Sequence, residues 1–596
     1  MRLNSLLLAS LAAALTAVST ACTGSVGGGS DSTPPGTPPD GAPEAFTCEP
    51  GLAPASVPLR RLSRAQLSNT VRDLVAVAAP PAERGAILEA VAPQLDALPH
   101  DDREGPHEHW GGFTRVDQTV TQEHVERSYA LATAVAEELT GSPARLEALA
   151  GRCATDEEAD NDDGCLDAFL RAFGERALRR AVTDEDVAFY REPAGAPPFD
   201  AADYRDMVTQ LLAAPSFLYF VEHGADAVDE RLAIHEVDPY ELASRLAYHF
   251  WQTLPDDELL ALARSGELAR DDVYRAQVDR VFADPRTRAA LRQFYAEWLR
   301  RPDVAELSSR VGTPAFDTLR GDLTPTGELR EAMFDELADM ALYYSLDTRG
   351  TIDDLYTSRK SFARSDELAA LYGVPPWDGE GEPPDFVEPE RQGLLTRAGM
   401  VATGSANTRP IMKGVFVRRA LLCDDLSPPP ANVMATPPDT AASATSREVV
   451  TALTGTGSCA GCHTNLINPL GFATENFDAL GRLRAEELLI DPVTGELTGT
   501  APVDSRAVPQ ITWGDPTEVA DGRELQGLML ASGKVQSCFA RVYFRFTFGR
   551  TEDAAQDACA LADLEGALLD GAPLSDVLRR VALTPAFRQR NFGEDG

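Results

Sequence analysis

Two cysteines and a histidine stand in the stretch Ser458-Cys459-Ala-Gly-Cys462-His463-Thr-Asn-Leu-Ile-Asn468-Pro469-Leu-Gly471-Phe472. Cysteines three apart on a helical turn face one side, so both sulfurs reach a single planar partner. C-x-x-C-H is the attachment pattern of c-type haem, in which each sulfur forms a thioether with one vinyl group. The imidazole that follows lies beneath the iron as proximal ligand. The spacing therefore predicts one haem c, held covalently at Cys459 and Cys462 and ligated by His463. Residues 468–471 are positioned to offer a backbone carbonyl to the other imidazole nitrogen and so orient the ring. Phe472 and Phe477 supply apolar cover for a porphyrin. Arg482 or Arg484 would neutralise a propionate or else form a surface ion pair. Zinc would need four ligands, and no second Cys/His pair sits at finger spacing. A redox dithiol would want a βαβ context, which the sequence lacks.

The sixth iron ligand decides what such a haem does. A Met gives a higher-potential electron carrier and a His a lower one, and an open position permits peroxide or small-molecule chemistry. Met529, in Leu525-Gln-Gly-Leu-Met-Leu, lies downstream of the motif, where a small cytochrome carries its distal Met; plain core packing is the competing reading. His249 is the other candidate, on an apolar helix face where a core histidine with its hydrogen bonds satisfied is the alternative. Two further groups carry less. His107-Glu-His109-Trp, with His100 and His124 nearby, matches no standard zinc pattern and reads as a solvated loop. Asp156-Glu-Glu-Ala-Asp-Asn-Asp-Asp-Gly164 is rich in carboxylates, but its Gly is out of register with an EF-hand, so it reads as an exposed acidic loop. There is no Gly-Lys-Ser phosphate loop and no Gly-x-Ser-x-Gly elbow.

The elements around these residues read as helical almost throughout. Asp238 is a good N-cap, with Pro239 at the first helical position and Glu241 at the third; Leu242, Leu246, His249 and Phe250 then share a face. Leu254-Pro-Asp-Asp-Glu restarts a second helix that Gly266 stops. Comparable amphipathic runs cover 118–139, 328–344 and 557–569. Strand-like alternation is scarce, apart from a hairpin around Asp491-Pro-Val-Thr-Gly-Glu. The fold class is therefore mainly α and multi-domain, with a C-terminal cytochrome c-like haem region and a small hairpin. Pro/Gly-rich breaks near 192–199, 374–388 and 427–440 suggest helical blocks at 46–195, 196–385 and 386–596.

The first 21 residues have one basic side chain, Arg2, an apolar run from Leu6 to Val18, and then small residues, the order of a secretory signal. About thirteen apolar residues are too few to span a bilayer, which needs roughly twenty. Ser19-Thr-Ala-Cys22 resembles a bacterial lipobox, with Ser19 where such a box usually has Leu. It implies acylation of Cys22, against ordinary cleavage near Ala21 that leaves a free thiol. Residues 22–45, rich in Gly, Ser and Pro, then form a flexible tether. The expectation is an exported protein, lipid-anchored at the cell envelope on the periplasmic side or the outer-membrane surface, with no transmembrane helix.

The chain has 54 Lys and Arg against 93 Asp and Glu, a net charge of −39, which repels phosphate backbones and argues against a nucleic-acid partner. It has nine cysteines. With Cys22 acylated and Cys459 and Cys462 holding haem, six remain, an even number that suits an oxidising compartment. Proximity pairs Cys153 with Cys165 and Cys538 with Cys559, each bridge worth roughly 3 kcal/mol in the chain-entropy model. Elimination then pairs Cys48 with Cys423.

Several segments together resemble a family of exported bacterial proteins with domain of unknown function 1592 and the associated domains 1587, 1595, 1588 and 1585. They are Leu59-Arg-Arg-Leu-Ser-Arg-Ala-Gln-Leu-Ser-Asn-Thr-Val-Arg-Asp-Leu74, Phe169-Leu-Arg-Ala-Phe-Gly-Glu-Arg-Ala-Leu-Arg-Arg180 and Tyr240-Glu-Leu-Ala-Ser-Arg-Leu-Ala-Tyr-His-Phe-Trp251 with Leu254-Pro-Asp-Asp-Glu. Next come Arg391-Gln-Gly-Leu-Leu-Thr396, Lys413-Gly-Val-Phe-Val-Arg-Arg-Ala-Leu-Leu-Cys423, the span from Cys459 to Arg482, and Cys538-Phe-Ala-Arg-Val-Tyr-Phe-Arg-Phe-Thr-Phe-Gly-Arg550. The chain departs from the family at Pro410-Ile-Met-Lys-Gly414, where Ser-Pro or similar usually precedes an Arg-Gly. The resemblance implies a mostly helical, haem-bearing periplasmic or surface protein and no particular reaction. Two functions fit these observations. One is a redox protein, an electron-transfer cytochrome or haem oxidoreductase with an unidentified redox partner or small-molecule substrate. The other is a lipid-tethered binding or scaffold protein, touching extracellular polysaccharide, whose haem is structural.

Overall fold

The structure is a computed structural model that describes residues 46–49, 52, 54–107, 110–156, 161–229, 233–426, 443–456 and 459–592. The expected signal, Cys22 and the expected tether lie outside the described residues, as do Glu108, His109 and residues 157–160 of the acidic stretch.

Local sequence signals set the helix ends. Asp238 accepts from the Tyr240 N–H while Glu241 reaches back to the Asp238 N–H, a complete capping box on helix Pro239–Phe250. Asp256 caps Asp257–Ser265, and Gly266 ends it at φ 75°, a left-handed conformation that costs glycine nothing. The run expected from 118 starts later, as Gln122–Thr140, because Thr121 and His124 form the capping pair there. Leu329–Leu342 and Ala558–Leu569 fall where amphipathic spacing predicts them. The fold is mainly α. Its longest strands, Glu486–Ile490 and Leu497–Pro502, form the expected antiparallel hairpin. Asp491 accepts from the Val493 and Thr494 N–H groups to close its turn. Among the described residues no helix is long and apolar enough to cross a membrane.

The chain forms two compact units, each built from separated stretches rather than the consecutive blocks expected. The described part of one, the motif unit, comes from Arg301–Glu336 and Leu355–Cys538; the other is Glu44–Arg300, Leu337–Asp354 and Phe539–Gly596. The motif unit has a core around Leu307, Met333, Ala363, Leu368, Tyr372 and Leu480. Fully buried members such as Met333 and Leu480 contribute about 2 kcal/mol each. A buried ion pair of Arg397 with Glu336 runs through it, and Glu336 also accepts from the Tyr372 hydroxyl at 2.6 Å. Such a pair is tolerated away from water because its remaining hydrogen bonds are made. The second unit has its own core, which includes Leu74, Ile87, Val135, Phe169, Met207 and Leu211.

Among the described residues there are three disulfides, and only Cys153–Cys165 follows the expected pairing. Cys538 bonds to Cys423 and Cys559 to Cys48, so the Cys538–Cys559 and Cys48–Cys423 expectations are corrected. The reason is that loop-closure entropy rises only slowly with length. Sequence nearness therefore gives little advantage over a partner that packing brings close.

Candidate functional site

The described cysteines number eight, and six of them lie in disulfides. The two that no disulfide takes are Cys459, half-buried, and Cys462, exposed. They sit on the short helix Ala460–Cys462, with Cys459 as its helical N-cap residue. The helix continues as a π-turn, His463–Ile467, and then as Asn468–Phe472. A π-turn adds a residue to the helix and recurs at functional sites because it displaces side chains from regular spacing.

His463 is half-buried, and its Nδ1 lies 3.1 Å from the Asn468 Oδ1. The surrounding bonds assign the proton. Thr454 donates its hydroxyl hydrogen to the Val450 carbonyl at 2.6 Å, so its oxygen accepts from the Asn468 Nδ2 at 2.8 Å. The Asn468 oxygen is then an acceptor, and His463 donates to it through Nδ1–H. In the neutral ring Nε2 then carries the lone pair, the form in which imidazole binds a metal. Sequence reasoning expected a backbone carbonyl from 468–471 in this role; a side-chain amide supplies it instead. An Asn five residues after the His was the available signal, but only the π-turn makes that spacing productive.

Two neighbouring elements hold the turn. Helix Pro410–Phe416 crosses it at very short range: a Cβ on Gly414 would lie 2.0 Å from the Ile467 carbonyl oxygen, and one on Gly471 would lie 2.0 Å from the Pro410 oxygen. Only glycine fits at either position. From the next turn, Arg418 donates through Nε to the Leu466 carbonyl at 2.8 Å, while its other nitrogens reach Asp424 and the Pro509 and Gln510 carbonyls. Lys413 pairs with Glu475 at 2.9 Å, both buried, and burial pushes the Lys413 ammonium below its ordinary range despite that partner.

The remaining expected residues fall as follows. Phe472 is buried with the Arg447 guanidinium 4.5 Å from its ring centroid. Phe477 is fully buried with Arg391 4.8 Å from its ring, a core position rather than a cover for a ligand. Arg482 is paired with Asp478 at 2.7 Å and also donates to the Leu319 carbonyl, and Arg484 pairs with Glu475 at 3.2 Å. Both are committed to the protein itself. Met529, on helix Gly522–Ala531 of the motif unit, is fully buried. His249 belongs to the other unit, 4% exposed, with Nε2 3.0 Å from the Tyr543 hydroxyl. Among the described residues no group of three or more His, Cys, Asp or Glu side chains gathers into a metal-holding cluster.

Three family models match the chain. PSD3, a protein of unknown function (DUF1587), covers residues 60–141, and PSD4, a protein of unknown function (DUF1592), covers 237–374. PSCyt3, a protein of unknown function (DUF1588), covers 391–487 and so takes in Cys459, Cys462, His463, Asn468, Gly414 and Arg418. The chain thus carries DUF1587, DUF1592 and DUF1588 stretches in that order. No curated protein and no solved structure matches it. The histidine's supports, Thr454, Gly414 and Arg418, all lie inside the DUF1588 stretch, whereas Met529 lies beyond its end.

Proposed function

We propose that this protein is a redox protein of the cell envelope that carries one c-type haem on Cys459 and Cys462, with His463 as the iron's proximal ligand. The observation that carries the reading is the Thr454–Asn468–His463 chain of hydrogen bonds, which occupies Nδ1 and leaves Nε2 as the ring's ligating nitrogen, next in sequence to two cysteines that no disulfide claims. The printed name PSCyt3 of the matching model contains the abbreviation for cytochrome, which supports the same reading.

The residues present suit the group. Two thiols on one turn are the donors that covalent attachment needs, and an imidazole fixed through Nδ1 is the ligand form. A haem held there supplies a one-electron iron couple. The chain's part is to fix the His463 ring through Asn468, to keep the turn in place through Arg418, and to bar side chains from the Gly414–Gly471 crossing. Met529 is proposed as the distal ligand ahead of His249, whose Nε2 is occupied by Tyr543. Export and acylation at Cys22 would tether this body at a membrane surface through residues 22–45, on the periplasmic or outer face, where a redox partner or small substrate would meet it.

The test is a pyridine-haemochrome spectrum of the full chain produced in a host with c-type maturation, together with its intact mass. One haem per chain that resists acidified organic solvent is the expected result. Colourless protein from such a host, with Cys459 and Cys462 joined to each other, overturns the reading.

A further inference from the structure

The second unit contains a small cavity of about 40 Å³ whose wall is unusually basic. Arg60, Arg61, Arg115, Arg245 and His249 line it, together with aromatic and amide side chains. In a chain of net charge −39 such a wall is unexpected. Three segments that the motif unit's chemistry leaves unused converge here: 59–74, 240–251 and 538–550.

The carboxylates nearby are already taken. Arg245 is bound by Glu222 through two bonds of 2.7 and 2.6 Å, and Arg590 shares that same carboxylate at 2.6 Å. Arg61 pairs with Asp101 and Asp117. Glu297 is spent on Thr114 and Gln293, and burial pushes its carboxyl above the usual range. Arg60 and Arg115 have no ion-pair partner among the described residues. Arg60 gives one nitrogen to the Phe548 carbonyl. Arg115, 7% exposed, gives one to the carbonyls of Tyr248 and His249 and lies over the Phe546 ring, but its Nε has no acceptor. Burial, reinforced by neighbouring guanidiniums, outweighs the pull of Glu222 and Glu297 and holds the Arg60 guanidinium down at about 10 and that of Arg115 at about 9.

His249 adds an acceptor. The Tyr543 hydroxyl donates to the Leu578 carbonyl at 2.8 Å, so it accepts from the His249 Nε2–H. Nδ1 then keeps its lone pair, is buried, and has no donor. The wall is held tightly: Gly549 has φ 60°, and a Cβ there would lie 2.9 Å from the Arg115 carbonyl oxygen and 3.0 Å from the Arg60 Nη1.

Two guanidiniums that no carboxylate pairs directly and one bare imidazole nitrogen define a complement. The geometry points to a binding site for a small oxyanion that also carries a hydroxyl hydrogen, of the hydrogenphosphate or hydrogencarbonate class. Its oxygens take the Arg60 and Arg115 donors, and its O–H donates to the His249 Nδ1. A single water needs about 10–15 Å³ by the same measure, so the space suits an ion of a few heavy atoms. This site is independent of the haem proposal, because all its residues belong to the second unit.

The test is calorimetric titration of the full chain with inorganic phosphate at neutral pH, against sodium chloride of equal ionic strength and against sulfate, which has no hydrogen to donate. The expected result is one phosphate per chain, at least tenfold weaker binding in Arg60→Gln, and weaker binding of sulfate than of phosphate. Arg60 is half-buried, has no ion-pair partner and makes one side-chain hydrogen bond, to the Phe548 carbonyl, so this variant is the one expected to fold; a far-ultraviolet spectrum and urea midpoint check that it has. No phosphate response beyond that of chloride, the outcome for a cavity that holds only water, overturns the proposal. So does equal binding of phosphate and sulfate, or unchanged affinity in a folded Arg60→Gln.

Discussion

His463 and His249 each sit on a helix with one ring nitrogen tied by a side-chain oxygen, yet the two regions prepare them for opposite ends. His463 is tied through Nδ1 to Asn468, half-buried, one residue from an exposed cysteine. His249 is tied through Nε2 to Tyr543 and enclosed by Phe250, Tyr543 and Phe587, with ring centroids 4.3, 5.8 and 5.8 Å away. Which nitrogen a neighbour takes decides which one remains, and the enclosure decides what can reach it. A histidine on an apolar face and a histidine after two cysteines are thus separated by their partners, not by their helices.

The comparison can be broken most sharply at the cysteines. Cys459→Ser combined with Cys462→Ser is expected to abolish covalent colour completely, measured after solvent extraction, while Tyr543→Phe keeps it. The next largest effect is expected from Gly414→Ala. Its new methyl meets the Ile467 oxygen at 2.0 Å, backbone that cannot give way, and urea unfolding of the full chain should register a loss of about 3 kcal/mol. If the stability is unchanged, the close crossing does not hold the turn.

Asn468→Ala sharpens the contrast from the motif side. Loss of an outer partner of a ligating His weakens ligation about 10- to 100-fold. Competition by free imidazole for the iron should show that factor, and should show none in Tyr543→Phe. From the other side, Tyr543→Phe leaves the His249 Nε2–H buried without an acceptor, which costs about 1–2 kcal/mol in the same unfolding assay.

The smallest expected effect is a pH slope. Burial, with Arg115 and Arg60 close by, holds the His249 imidazole well below its ordinary value of 6.5. The unfolded chain therefore binds this proton at higher pH than the folded chain does. The contribution is fully present above pH 6.5 and declines as pH falls from there toward the depressed folded value, by at most about 1.4 kcal/mol per unit. Comparing His249→Asn with the parent at pH 7 and pH 5 isolates it: the parent should lose more stability than the variant, and equal losses would place His249 outside the titration.

What was legible in the sequence was local. Asp238, Pro239 and Glu241 announced a helix start because a capping box is closed within four residues. Asp491 announced a hairpin for the same reason, and Cys459, Cys462 and His463 were legible as a motif because they stand within one helical turn of sequence. The candidate site was legible only as far as that turn reaches. Its Asn468 support was expected as a carbonyl, because the π-turn that brings the side chain to His463 follows from packing against Pro410–Phe416 and the Arg418 anchor.

By itself, then, the sequence determined the mainly helical class, several capped helix ends and the hairpin, all set by contacts a few residues long. Tertiary structure decided the rest: that Cys538 meets Cys423 and Cys559 meets Cys48, that Gly414 and Gly471 must be glycine, and that Arg60, Arg115 and His249 share one wall. Those relations join residues tens to hundreds apart, where chain connectivity imposes almost no preference and close packing makes the choice.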